Sequence, residues 1–248
     1  MSRELLNDAA IVLHHIFSNE NIKYGIFGGY AISAFGGLRA TKDIDVLASI
    51  SKDELLKLVT KEHGFDALTQ ARDDYVAFLY ADKAAPKPQV LVEVFCAKFK
   101  GNVSPPPPEI MGIPPTCGEL HFQHTMEGVS ITAIPIKGSY HGPGFASFLD
   151  PPYLFKGKLH AAATRSRPYD AADLRALVTR YKEDIASHTD KMNIKDIGLA
   201  IKRHPELVFL FRQLDIDVHK AERAARFLSP NDIKQPIAAG AVQSGLLS

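Results

Sequence analysis

Between Tyr24 and Leu47 the chain changes its hydrophobic rhythm twice. Tyr24 to Phe27 is a short apolar run that ends in Gly28-Gly29, and Tyr30 to Phe35 is apolar with no breaker. Gly36-Gly37, Arg39 and Thr41 then lead into Asp43-Ile44-Asp45-Val46-Leu47. This order predicts strand, glycine turn, helix, loop, strand. Upstream, Leu5, Ala9, Val12, Leu13, Ile16 and Phe17 recur at three- and four-residue steps and predict a helix over 3–18. His14 and His15 interrupt its apolar stripe and read as surface or boundary residues. Ser51 with Glu54 three positions later predicts a capped helix start, with Leu55, Leu56, Leu58 and Val59 as its apolar side and Gly64 as its stop.

Two further strands are predicted, over 72–80 and 90–95. The second, Val90-Leu91-Val92-Glu93-Val94-Phe95, is the strongest strand pattern in the chain. Residues 81–88 read as a turn broken by Pro86 and Pro88. The prolines of 104–115 predict an extended loop, either a plain spacer or a proline-rich ligand. Alternation over 118–137, with Val129, Ile131, Ile134 and Ile136, predicts a last hairpin of the sheet.

After a turn-rich hinge at Ser139–Gly144 the rhythm becomes helical. Asp150 followed by Pro151-Pro152 marks a helix start, and Arg165-Ser166-Arg167-Pro168 marks its end. A second helix opens at Tyr169, and others are expected over 190–203, 205–214 and 217–228. The expected organisation is an α/β (α+β) domain over 1–145, with a mixed sheet flanked by helices. A helical domain over 146–230 and a flexible tail over 231–248 follow.

Composition narrows the function classes. Of 248 residues 46% are hydrophobic, enough for a sizeable core. Lys and Arg number 29 against 28 Asp and Glu, so no global basic surplus points to nucleic acid. The two cysteines, Cys96 and Cys117, form no C-x-x-C pair, which predicts free thiols and no structural zinc. No signal peptide and no membrane span are expected, and the cytoplasm is the expected location.

The candidate chemistry lies in the acidic strand. Asp43 and Asp45 alternate with Ile44, so both carboxylates share one face, about 7 Å apart at their Cα atoms. Like charges that close are costly unless a cation sits between them, and hard divalent cations take carboxylate oxygens. Glu93, flanked by apolar residues, is either a third acid of the same site or an edge-strand residue facing water. Gly28-Gly29, between a strand and a helix, allows backbone N–H groups to approach a phosphate.

Gly-Gly, a short helix, then Arg-x-Thr-x-Asp-Ile-Asp resembles the signature of the DNA polymerase β-like nucleotidyltransferase superfamily. It is most similar to the branch of abortive-infection toxin and antibiotic nucleotidyltransferases. The resemblance implies a catalytic and metal-binding triad of Asp43, Asp45 and Glu93, holding Mg²⁺ or Mn²⁺. Many members carry Asp where Glu93 stands, and serine where Gly29 stands, so here a phosphate grip at the turn falls to backbone N–H groups. The same resemblance assigns Gly28, Gly29, Arg39, Thr41 and Lys158 to the nucleotide, ATP or another NTP. It gives Asp170 and Asp173 the task of orienting Lys158 or binding the acceptor. Lys156, on another face, is the weaker lysine.

The implied reaction moves a nucleoside monophosphate from an NTP to an acceptor hydroxyl and releases pyrophosphate. Small molecules, RNA and protein all stay open as acceptors, and neither an inhibitory partner nor an oligomeric state follows from the sequence. A non-catalytic nucleotide- or ligand-binding member of the fold is the alternative. A dinucleotide-binding module is disfavoured, because Gly25, Gly28 and Gly29 lack the G-x-G-x-x-G spacing.

Overall fold

The computed structural model describes residues 2–38, 40–69, 71–82, 85–100, 121–123, 126–229 and 240–247. Helix α1 (Arg3–Asn19) buries Ala9, Leu13, Ile16 and Phe17 of the expected stripe together with Leu6, Ala10 and Ile11, whereas Leu5 and Val12 are only partly buried. Strand β1 (Tyr24–Phe27) passes directly into helix α2 (Gly28–Ala34), and strand β2 (Asp43–Ser51) follows. Helix α3 (Lys52–Leu58) starts on a reciprocal cap between Ser51 and Glu54. It stops at Leu58. Gly64, expected to end it, closes a separate single turn at Lys61–His63 with φ +86°.

Strand β3 (Phe65–Leu68), which no periodicity marked, pairs with β4 (Tyr75–Asp82). Strand β5 is Ala85–Lys100 and β6 is His121–Gln123. The expected turn over 81–88 is therefore mostly strand. Pro86 and Pro88 are accommodated because the β4–β5 register shifts between Tyr80 and Asp82, and an irregular ladder has less need of a proline's missing N–H. The proline-rich loop 104–115 and Cys117 lie outside the described residues.

Strand β7 (Ile131–Lys137) forms a hairpin with β8 (Pro143–Leu149). The stretch expected as a hinge at Ser139–Gly144 is the connection of this hairpin. Asp8 fixes it by accepting the backbone N–H groups of Ser139, Tyr140 and His141. The sheet thus continues to Leu149, past the boundary expected at 145, because β8 pairs in parallel with β1 at Ile26.

Among the described residues the strands form one mixed sheet in the order β3-β4-β5-β2-β1-β8-β7, with β6 on β5. β2 and β5 are its parallel centre. Ile44, Val46 and Ala48 pair with Val92, Val94 and Cys96, so these six residues share one face, and all are buried. Burial pushes the Cys96 thiol up to about 12, which makes it an inert packing residue at neutral pH.

The helical part comprises α4 (Pro151–Thr164), α5 (Pro168–Ala186), α6 (Ile194–Arg203), α7 (Leu207–Gln213) and α8 (Val218–Ala224). Asp150 holds the N-cap position of α4, yet its carboxylate accepts from the hydroxyls of Ser130 and Thr132 and so ties the helix to the sheet. Within the expected tail, Ala241–Leu247 forms a further helix, α9, packed on α4 and β5. No helix of the described residues is long and apolar enough to cross a membrane.

Candidate active site

Parallel pairing places Asp45 directly opposite Glu93, and Asp43 opposite Leu91. Paired residues of adjacent strands share a face, so Asp43, Asp45 and Glu93 all project from the same side of the sheet centre. All three are partly exposed, whereas Ile44, Val46, Val92 and Val94 on the other side are buried. Because β5 lies between β4 and β2, the edge-strand alternative for Glu93 does not hold. A charge in an interior strand is compatible with the fold here only because this face is open.

Each acid is held differently. Thr41, buried, donates its hydroxyl to Asp43 Oδ1 at 2.5 Å. Tyr75 donates its hydroxyl to Glu93 Oε1 at 2.6 Å. Asp45 has neither aid. Burial first, and then the negative charges of Asp43 and Glu93, push its carboxyl up to about 7, while Lys158 and Arg165 pull the other way.

The glycine bend meets this acid. Phe27 pairs with Asp45 across β1 and β2, so the first residue of α2 falls beside the carboxylate. Gly28 has φ +69°, and a β-carbon there would stand 1.8 Å from Asp45 Oδ2. Glycine is required on both counts. Gly28→Ala is expected to cost about 1–2 kcal/mol from the left-handed backbone alone, before Asp45 is displaced, read as a lower urea midpoint. Gly29 is buried behind it. Arg39 lies outside the described residues.

A second group stands on the helical part. Lys158 is 5% exposed, and its Nζ lies 2.6 Å from Asp173 Oδ2 and 3.7 Å from Asp170 Oδ1. Asp170 also takes the fork of Arg165, Nε at 2.8 Å and Nη2 at 2.9 Å. The structure thus brings Asp170 and Asp173 to Lys158, and the charges of Lys158 and Arg165 act on Asp45 from across the chain. Lys156, two positions earlier, lines a different cleft with His160 and Asp196.

Sequence reasoning missed Tyr75 and Arg165 as site residues. Tyr75 lies within a predicted strand and looks like any half-buried aromatic until the β4–β5 register sets it diagonally beside Glu93. Its ring also touches Phe95, which touches Phe27, so an aromatic floor borders the acids. Arg165 sits at a helix end, where a cation needs no special explanation.

The donors on this face are carboxylate oxygens, the kind a hard cation takes. Among the described residues no three His, Cys, Asp or Glu side chains already close around an ion-sized point.

No family model matches this chain, and no curated protein matches it in sequence. Solved structures do. An antigenic nucleotidyltransferase-like protein from Paracoccidioides brasiliensis aligns over 85% of this chain and 92% of its own, at 15% identity and a TM-score of 0.51. The lincosamide antibiotic adenylyltransferase LnuA, lincomycin-bound, aligns over 66% of this chain and 91% of its own, at 12% identity and a TM-score of 0.38. MenT4, a nucleotidyltransferase toxin from Mycobacterium tuberculosis, aligns over 99% and 95%, at 12% identity and a TM-score of 0.41. The first of these likenesses covers the mixed sheet and the helical part together, and this chain has the nucleotidyltransferase fold.

Proposed function

We propose that this chain transfers a nucleoside monophosphate from an NTP to an acceptor hydroxyl and releases pyrophosphate. The observation that carries the reading is the alignment of Asp43, Asp45 and Glu93 on one open face, with the Gly28 bend against Asp45. Asp43, Asp45 and Glu93 would hold Mg²⁺ or Mn²⁺, which supplies charge neutralisation and Lewis acidity at the triphosphate.

The chain's own residues supply the rest. At the Gly28 bend the missing β-carbon lets the backbone lie against the Asp45 carboxylate, so that a phosphate bound there would share a cation with it. Lys158 and Arg165 set positive charge across from the acids, where the leaving pyrophosphate gains negative charge. The acceptor oxygen bonds to the α-phosphorus as the bond to the bridging oxygen breaks. Its proton passes to Glu93, whose orientation the Tyr75 hydroxyl fixes. The acceptor would enter between the sheet face and α4, and its identity follows from what becomes labelled.

The test is incubation with each α-labelled NTP, Mg²⁺ or Mn²⁺, and a cell extract. Label is expected in an acceptor, with one pyrophosphate released per transfer, and EDTA should abolish both. NTP binding without turnover in any extract would instead make the protein a non-catalytic member of the fold.

A further inference from the structure

We propose that residues 240–247 are a positioning element for Glu93, acting through Asp74 and Tyr75; this rests on the nucleotidyl-transfer reading of Glu93. Gln243, on α9, has no solvent exposure. Its Nε2 donates to the carbonyl oxygens of Asp74 at 3.1 Å and Cys96 at 3.0 Å, and reaches Asp74 Oδ2 at 3.3 Å. The Gly240 N–H donates to the same Oδ2 at 2.7 Å. A buried amide on a helix that otherwise packs through Leu246 is costly, and the Gln243 Oε1 has no hydrogen-bond partner. Leucine would remove that cost but would take the Nε2 donor from the Cys96 carbonyl and the buried Asp74 carboxylate. What glutamine adds is the grip of Nε2 on Asp74.

Asp74 is the hub. It is fully buried and accepts a fork from Arg72, Nε to Oδ1 at 2.9 Å and Nη2 to Oδ2 at 2.7 Å. Burial pushes its carboxyl up, yet the Arg72 fork, the Gly240 N–H and the Gln243 amide outweigh that and hold it below the usual range. It is therefore a permanent anion at neutral pH. The Arg72 guanidinium in turn lies over the Tyr75 ring, 5.5 Å from its centre. Tyr75, next in the chain, ends the series with its hydroxyl on Glu93 Oε1 at 2.6 Å. Asp74 thus fixes the start of β4 from both sides, and the start of β4 fixes Glu93.

The same segment reaches the other half of the site. Leu246 lies against Gly157, where a β-carbon would come within 2.7 Å of it, and Lys158 is the next residue of α4. One short helix therefore touches the helix that carries the site lysine and the strand that carries its third acid. Tyr75 and Gln243 are positioning residues in this arrangement, acting on the reaction through Glu93.

The test compares full-length wild type, Tyr75→Phe and Gln243→Leu. Two readouts are taken: kcat and KM for the NTP, and Mn²⁺ affinity measured by electron paramagnetic resonance without nucleotide. Tyr75→Phe is expected to lower kcat about 10-fold with KM within twofold, and to weaken Mn²⁺ binding several-fold. Gln243→Leu is expected to move both in the same direction by roughly threefold, with a somewhat lower thermal midpoint, since the buried Asp74 and Cys96 acceptors lose a donor. Variants that bind Mn²⁺ and turn over like wild type would overturn the positioning role alone. A wild type that neither binds Mn²⁺ nor turns over NTP would overturn the reading of the site itself, which separates the two failures.

Discussion

Asp45→Asn is expected to abolish nucleotidyl transfer and, at the same time, to make the metal-free protein more stable at pH 8. The two effects have one cause. Burial first, and then the charges of Asp43 two residues away and Glu93 opposite, push the Asp45 carboxyl up to about 7. An acid whose pKa is raised on folding binds more protons folded than unfolded across that interval, so stability falls as pH rises. The interval here runs from the ordinary value of 3.8 to about 7, and above it the penalty is complete. Asparagine fills the same space and cannot ionise. The expected gain is on the order of 1–3 kcal/mol at pH 8 and vanishes near pH 4, where wild type is already neutral. Urea unfolding of both proteins at the two pH values, with EDTA present, measures it. If Asp45 holds the divalent cation that neutralises the triphosphate, its loss costs several kcal/mol in the transition state, which is on the order of 10³-fold in rate or more. A pH-independent difference in stability would remove the crowding argument, and undiminished transfer would remove Asp45 from the site.

That a more stable variant should be a dead one follows from how the site is built. A sheet centre ordinarily carries apolar residues on both sides, as Ile44, Val46, Val92 and Val94 do on theirs. Three acids on the other side replace that apolar packing, and the charges of Asp43 and Glu93 add to the cost of ionising the buried Asp45. Mg²⁺ should reverse the sign, raising the wild-type midpoint more than that of Asp45→Asn.

What could be read from the sequence was local. Gly28-Gly29 and Asp43-x-Asp45 declare themselves because strand alternation and backbone freedom act over a few residues, and β1, α2 and the start of β2 lie where the pattern put them. Glu93 was legible as an anomaly, a charge inside an apolar run, but its place opposite Asp45 belongs to the parallel register of two strands joined through distant chain. Tyr75 could not be found, since its part depends on a diagonal contact between β4 and β5. Gln243 was further from reach. Its partner Asp74 is 169 positions away, and a small, weakly patterned C-terminus gives no sign of packing. Pro86 and Pro88 misled for the opposite reason. Proline is a dependable local signal for a break, and the β4–β5 ladder absorbs it through a register shift.

Lys158→Met is expected to fail twice, and a second substitution separates the failures. The ammonium lies 2.6 Å from Asp173 and 3.7 Å from Asp170, with all three side chains almost wholly buried. Asp170 keeps the Arg165 fork in the variant, whereas Asp173 loses its 2.6 Å ammonium. Removing one member of a buried pair is destabilising, by up to about 3–5 kcal/mol where nothing else compensates the remaining charge. Lys158→Met should therefore unfold at a much lower urea concentration. Lys158→Met combined with Asp173→Asn removes the charge together with its partner, and should recover most of that loss. Activity should not return with it. If Lys158 balances the leaving pyrophosphate, the double variant is a folded protein with a silent site, its kcat/KM down by a factor on the order of 10²–10³. If it recovers transfer as well as stability, Lys158 only holds α4 to α5, and the positive side of the site then falls to Arg165.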